Sequence, residues 1–402
     1  MNEPRKAQHW LGLAWSWPRL TTVFLIDVAL LALASHLPDA WQAHHIGWWV
    51  GVALAAMVTA AATVTYRRTP LTSVLAARVL DRFTDPEAML VEGRTPPVDH
   101  RHRFARDVVG IREYRGRLIA VIAVQARPDA LAGRHRHPQA PLAPLPVAAV
   151  AAGLRQFDLD LEGIDIVAVA TRRRPTDRTG SAREGSAPEA ESSPPDQRDT
   201  WLVLRMDPQR NLAAVAARDS VASALAAATE RLAHDLDGSD CAARPLTAEE
   251  IAAVDVAVLA GLQPAHVRAR RSRLNSTESA QPAQFVASFW ISPQDITSET
   301  LAQLWVPDAE AMVLTVRLTP VDGRTEVSAW VRYHSRRPLP RKAWEGLNRL
   351  TGRQLAAVCA SLPVPARRPR LETPARTLAH NDELAVAVGA AQQSMSGVGT
   401  RW

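Results

Sequence analysis

TWLVLRMDP, residues 200–208, decides how the larger part of this chain is read. Trp201 to Leu204 form an uninterrupted apolar run of strand length, the pattern of a buried strand. Asp207 then reads as a helix N-cap, with Pro208 at the first helical position, where its missing N–H costs nothing. The Ala-rich amphipathic stretch beyond it is expected to run as one helix to about Leu236, stopped by Gly238. Trp201, Arg205, Asp207, Arg218 and Asp219 are the structural residues of this strand–helix unit. Arg205, Asp219 and Arg231 are its charges, expected to lock the helix to the sheet edge.

Further elements extend in both directions. Thr247 and Glu250 make a capping box that opens a helix to Leu262. QFVASFWI, residues 284–291, reads as a strand, and residues 298–304 as a short helix. AMVLTVRLTP and RTEVSAWVRYHS form a hairpin over Val321-Asp322-Gly323. Residues 341–361 read as a helix and residues 383–389 as a strand. Upstream, VVGIREY (108–114) and RLIAVIAV (117–124) make a second hairpin across Arg115-Gly116. A short helix over 147–157 and a strand over 163–171 follow. Residues 172–199 are poor in apolar residues and rich in Pro, Ser, Gly and charge, so they read as a disordered insertion. Strands and helices alternate with at least two antiparallel pairs. The expectation is an α+β or mixed α/β domain over residues 96–402, with no internal repeat of about 20 to 50 residues.

The N-terminal part has a different composition. Two apolar runs, residues 20–37 and 46–66, are each long enough for roughly 30 Å of hydrocarbon. Arg5, Lys6 and Arg19 precede the first run, and Arg67, Arg68 and Arg78 follow the second. The connector between them, residues 38–45, carries no Lys or Arg. The positive-inside rule then puts both termini and the main domain in the cytosol. Trp10, Trp15 and Trp17 before the first run, and Trp41, Trp48 and Trp49 about the connector, suit interfacial belts. A signal peptide fits poorly, because no small-residue cleavage site ends the first run. The expected layout is a cytosolic segment (1–19), a transmembrane hairpin (20–66) and a helical juxtamembrane connector (67–95). One ionisable residue, Asp27, lies about 10 Å inside the first run. It costs on the order of 3 kcal/mol there on insertion scales. Gly47, Gly51, Ala55, Thr59 and Thr63 recur every four residues and form a small stripe that permits close helix approach. In an antiparallel pair Thr59 falls near the depth of Asp27, so these two residues are expected to face each other, or Asp27 to bond to another protein's helix.

Chemistry is harder to find. The 402 residues hold 47 Lys and Arg, of which only Lys6 and Lys342 are lysine, the usage of a GC-rich genome. The net charge of +6 is spread among acids, without the aromatic–basic interleaving of a nucleic-acid binder. A basic face toward anionic lipid accounts for it more simply. Cys241 and Cys359 are too few for a disulfide framework or a cysteine metal cluster. There is no P-loop, no G-x-G-x-x-G after a strand, no H-E-x-x-H and no G-x-S-x-G. The pairs His100/His102 and His135/His137 lie in Arg-rich loops and read as solvated. Asp158/Asp160 and Asp235/Asp237 match D-x-D, which glycosyltransferases use to hold a divalent cation against a sugar nucleotide. A membrane-anchored glycosyltransferase-like enzyme is therefore the alternative reading.

Four passages resemble one family. They are WPRLTT (17–22) entering the hairpin, HRFARDVVGIREY (102–114), TWLVLRMDP (200–208) leading to Arg218-Asp219 and Arg231-Leu232-Ala233, and LNRLTGRQ (347–354). In this order they resemble EccE, the membrane component of the mycobacterial ESX (type VII) secretion system. The resemblance implies a multi-pass protein of the bacterial inner membrane, acting as a non-enzymatic structural subunit with EccB, EccC and EccD. That assembly exports WXG100, PE and PPE proteins, and EccC is its ATPase. The resemblance implies no catalytic residues, cofactor, metal, small-molecule substrate or nucleic acid.

Overall fold

A computed structural model describes residues 11–13, 17–36, 46–66, 69–70, 85–101, 107–127, 142–172, 197–212, 220–238, 240–270, 273–276, 284–365, 371–379 and 381–390. The chain divides into two compact units, residues 1–84 with 351–353, and residues 85–350 with 354–402.

In the first unit, α1 (Trp17–Ser35) and α2 (Ile46–Thr63) lie antiparallel. The short strands Leu11–Leu13, Val64–Tyr66 and Thr69–Pro70 make a three-stranded antiparallel sheet. The second helix ends three residues before the apolar run does, because Val64–Tyr66 is β-structure with two β-branched or aromatic side chains flanking Thr65. Thr69–Pro70, expected as the start of a helical connector, is likewise a strand. The remainder of that connector, up to residue 84, lies outside the described residues. Among the described residues, no helix is long and apolar enough to cross a membrane.

The second unit is built on a 13-stranded sheet whose pairs are all antiparallel. Ten strands form one path: β1 (Val98–His100), β2 (Val109–Tyr114), β3 (Arg117–Ala126), β4 (Gly163–Thr171), β5 (Gln197–Met206), β6 (Val267–Arg270), β7 (Arg273–Ser276), β8 (Gln284–Trp290), β9 (Ala311–Val321) and β10 (Arg324–Ser335). Their spatial order is β6-β7-β8-β10-β9-β4-β5-β3-β2-β1. The β2–β3 and β9–β10 turns hold Arg115-Gly116 and Asp322-Gly323 at positive φ, the backbone a two-residue hairpin needs to match strand twist.

The central strands are apolar on both sides, and helices explain why. Two helices, α3 (Pro86–Val91) and α4 (Val147–Ala152), precede α5 (Val221–Leu236) in the chain. One face of β3, β4 and β5 presents Ile122, Ile166 and Leu204 to a core that includes Val150 of α4 and Leu225 and Leu232 of α5, while Leu90 of α3 joins the core on the other face. The opposite face presents Val121, Val167 and Val203 to Val254 of α6 (Ala248–Leu259) and Val358 of α8 (Gln354–Ser361). A further helix, α7 (Ser298–Ala302), packs against the strand Ala385–Val388. The unit is thus a sheet covered by helices on two faces, an α+β arrangement in which alternation puts each strand residue into one of two cores.

Three sequence expectations are corrected. The helix after Asp207 is not continuous. Asp207 caps a 3-10 turn, Pro208–Asn211, that passes into helical backbone at Leu212, and α5 begins at a separate N-cap, Ser220, whose extended backbone interrupts any single helix. Residues 341–361 are not one helix either. A 3-10 turn (Arg341–Trp344) and a strand (Asn348–Arg349) precede α8, with Gly346 and Gly352 at positive φ breaking the helical path. The insertion also ends earlier than composition suggests, since Gln197, Arg198 and Asp199 pair with Thr171, Ala170 and Val169 as the start of β5. Its residues 173–196 lie outside the described residues.

Candidate functional site

Asp165 is the charged residue in the otherwise apolar strand β4, and it is fully buried. Arg317 of β9 lies directly across from it in register, and Arg205 of β5 lies diagonally, opposite Gly163. Arg205 Nε donates to Asp165 Oδ2 at 2.9 Å. Arg317 donates through Nε to Oδ1 at 2.7 Å and through Nη2 to Oδ2 at 2.9 Å. Burial pushes the Asp165 carboxyl up, but the Arg317 and Arg205 guanidiniums outweigh this and hold it below the usual carboxylate range.

Two guanidiniums share this one carboxylate, and carbonyls meet their remaining donors. Arg317 Nη2 donates to Ala360 O at 3.1 Å, and Arg205 donates to Leu362 O and Val364 O. These carbonyls belong to the end of α8 and the turn after it, where helical C=O groups have no internal partner and the macrodipole favours cations. Arg317 also lies 4.9 Å from the Trp330 ring centroid.

A second cluster grips the same turn. Arg112 of β2 forms a two-pronged pair with Asp255 of α6, at 3.0 and 2.8 Å. Arg112 also donates to Pro363 O at 2.5 Å, and Arg94 approaches Asp255 at 3.3 Å. Leu362, Pro363 and Val364 are therefore held carbonyl by carbonyl by two buried arginines from separate strands.

Beside these clusters opens a cavity of about 410 Å³. Its wall includes Glu92, Tyr114, Asp165, Arg205, Arg317 and Cys359, with an apolar portion from Leu362, Val364 and Leu371. Glu162 at its edge pairs with Arg117 at 2.5 Å.

The residues named from sequence fall as follows. Arg205 is central, but its expected role in locking the following helix is overturned. Leu204 and Met206 face α5, so strand alternation turns Arg205 to the opposite side, toward α8. Trp201 packs partly buried on that same side. Asp207 accepts from Gln209 N at 3.0 Å and approaches Arg117 at 3.4 Å. Arg231 sits over the Phe157 ring. Arg218 and Asp219 lie outside the described residues. Asp165, Arg317, Arg112 and Asp255 were not singled out by sequence. The signal was present, since a charge within an apolar strand or on a buried helix face demands a partner.

The D-x-D pairs sit on the surface and do not converge. Asp158 lies in a tight turn and Asp160 pairs with Arg155 at 3.5 Å, while Asp235 and Asp237 end α5, where Asp237 bonds Arg127 at 2.7 Å. Among the described residues no three His, Cys, Asp or Glu side chains are grouped to hold a metal ion. His100 lies on β1, and His102, His135 and His137 lie outside the described residues.

In the helical unit, Thr59 Oγ1 donates to Asp27 Oδ2 at 2.6 Å. Asp27 Oδ1 is buried and has no hydrogen-bond partner among the described residues. Gly47, Gly51 and Ala55 are buried, and a Cβ on Gly51 would lie 2.6 Å from the Ala34 Cβ. The side chain of Thr63 lies outside the described residues. The outward surface is apolar: Phe24, Leu25, Leu33, Trp49 and Met57 are each more than 60% exposed.

Known proteins share this chain's sequence along nearly its whole length. The family model for EccE, the translocon component of type VII ESX secretion systems, matches residues 195–291. The ESX-5 secretion system protein EccE5 of Mycobacterium tuberculosis is 52% identical over 397 residues, covering 96% of this chain and 97% of that protein. EccE5 of Mycobacterium marinum is 50% identical over 398 residues, covering 96% and 98%.

Proposed function

Since the chain belongs to the EccE family of type VII secretion components, we propose that it is a non-enzymatic structural subunit of an ESX-5-type inner-membrane complex. It assembles with EccB, EccC and EccD, and the complex exports WXG100, PE and PPE proteins. The observation that carries this reading is the 52% identity, which runs through both the helical unit and the sheet domain.

The charged residues support a structural role. Arg112, Arg205 and Arg317 and their buried partners Asp165 and Asp255 are spent on one another and on the end of α8 and the turn after it, which leaves them tied as scaffold.

We assign α1 and α2 to the membrane as a hairpin, with both termini and the main domain cytosolic. Their arrangement is inside-out for a water-facing pair, with large apolar side chains outside and the Asp27–Thr59 hydrogen bond between the helices. At about 1.5 Å per residue the 19 and 18 residues reach roughly 27–29 Å, just short of a typical hydrocarbon core. Local thinning of the bilayer and the flanking Trp and Arg residues make up the difference. The stripe Gly47, Gly51, Ala55, Thr59 and Thr63 packs the pair. Lipid headgroups meet the Arg-rich flanks.

The test is a mild-detergent pull-down of the tagged full-length protein with mass spectrometry of what is retained. EccB, EccC and EccD homologues in one large particle are the expected result. A lone protein, or cell-wall precursor enzymes in their place, would overturn the reading and bring back the D-x-D alternative.

A further inference from the structure

The cavity beside the Asp165 cluster has a floor of sheet and a cover of helix. Arg317 and Thr319 of β9 lie directly opposite Ser328 and Glu326 of β10 in register. Opposed and alternate residues share a face, so these four side chains and Asp165 of β4 point to the side that α8 covers. All five line the cavity. The cover is Ala356 and Ala360 of α8, with Leu362, Val364 and Leu371 beyond it. The floor is thus polar and the cover apolar.

Most polar groups here are committed. Arg317 and Arg205 hold Asp165, Arg117 holds Glu162, and Tyr114 Oη donates to Glu92 at 3.0 Å. Three groups are not. Ser328 is only 8% exposed, yet its hydroxyl makes no hydrogen bond among the described residues. The half-buried side chains of Thr319 and Glu326 make none there either, and Glu326 has no ion pair among the described residues. Taking a hydroxyl or a carboxylate out of water without a partner is unfavourable, so these three groups call for one.

One ammonium group answers all three. It has a positive charge and three N–H donors, and a carboxylate and two hydroxyls can each accept one of them. A phosphate or sulfate fits poorly. The two arginines of the wall are already held by Asp165 and by carbonyls, and the Glu326 carboxylate repels an anion. The apolar cover suits a hydrocarbon body on the amine, and about 410 Å³ is the size of a small-molecule pocket.

We propose that this cavity binds a small aliphatic amine, with its ammonium among Glu326, Ser328 and Thr319 and its hydrocarbon chain against Ala356, Ala360 and Leu362. The bound amine ties the β9–β10 hairpin to α8 and to the turn that Arg112 and Arg205 grip. The site stands apart from the assembly reading, and neither needs the other.

The experiment is calorimetric titration of the full chain in mild detergent with cadaverine, beside 1,5-pentanediol and glutarate, which are of similar length but lack the positive charge. Cadaverine is expected to bind about tenfold or more tighter than either. Glu326→Gln removes no contact within the described residues, so it should fold normally and weaken cadaverine about tenfold. Ser328→Ala should weaken it severalfold. Glu249→Gln, at an exposed position on α6, removes the same charge elsewhere and should leave binding unchanged. Equal binding of the three probes, no cadaverine binding, cadaverine binding indifferent to Glu326→Gln, or an equal loss in Glu249→Gln overturns the proposal. So does binding that appears only once Arg367, Arg368 and Arg370 are replaced by Gln, since the chain's own cations would then answer Glu326.

Discussion

Asp165 and Arg317 face each other across β4 and β9 in direct sheet register, joined by two hydrogen bonds, and Arg205 completes the carboxylate's shell from the other side. Replacing Asp165 by Asn keeps the shape but leaves two interior guanidiniums without an anion. The expected loss is about 3–5 kcal/mol of stability, read by urea unfolding of the full chain. A loss below about 1 kcal/mol would show that the α8 carbonyls alone suffice. The pH sign follows from the lowered carboxyl. Its contribution is complete above the unfolded value of about 3.9 and disappears as pH falls through the lower folded value.

His334 makes a different pH prediction. Burial and then Arg332 hold its folded-state value well below the usual 6.5. Below about pH 6.5 the unfolded chain takes up this proton and the folded chain does not, so stability falls with acid. One proton gives a slope of up to about 1.4 kcal/mol per pH unit. His334→Gln should flatten the stability profile between about pH 5 and 6.5 by that amount, measured beside the parent protein. Identical slopes would mean that His334 accepts a proton in place.

The helical pair can be probed at two points. Gly51→Val puts branched carbon where a Cβ already meets Ala34, and should force the helices apart. Thr59→Val removes the donor to Asp27 at a cost of about 0.6–1.7 kcal/mol. Both, and Asp27→Leu more strongly, should reduce recovery of the assembled complex from membranes. Normal assembly of Asp27→Leu would remove the role proposed for the polar pair.

Thr247→Ala is the local control. Thr247 Oγ1 accepts from Glu250 N, and the Glu250 carboxylate accepts from Thr247 N, closing a reciprocal cap on α6. Losing it should cost about 1 kcal/mol without altering the slope of the urea transition.

The local rules of the chain are legible wherever a short motif carries its own geometry. Arg115-Gly116 and Asp322-Gly323 announce their hairpins, and Thr247 with Glu250 announces α6, because the residues involved are neighbours in sequence. The stretch after Asp207 is harder to read. Asp207 and Ser220 are both good caps, and composition alone does not say which of them opens the long helix. The candidate site is legible only in part. Arg205 stands out within TWLVLRM, but its partners come from Asp165 and from residues 362–364, and Asp165 in turn holds Arg317. Nothing in one sequence says which strands will be adjacent. Asp165 in GIDIVAVAT and Arg332 in AWVRYHS are nonetheless visible as charges in apolar strands, and a charge in that setting asks for a partner.

The turn at Leu362–Val364 has a consequence for synthesis. Its carbonyls satisfy Arg112 and Arg205, which leave the ribosome 251 and 159 residues before their partners Pro363 and Val364. The strand Ala385–Val388 likewise closes on Ala143–Pro146. Until the C-terminal end of the chain emerges, those arginines have no interior to enter, and the sheet domain cannot close stepwise behind the ribosome. The sheet domain therefore completes its two cores only after synthesis has passed the turn that follows α8.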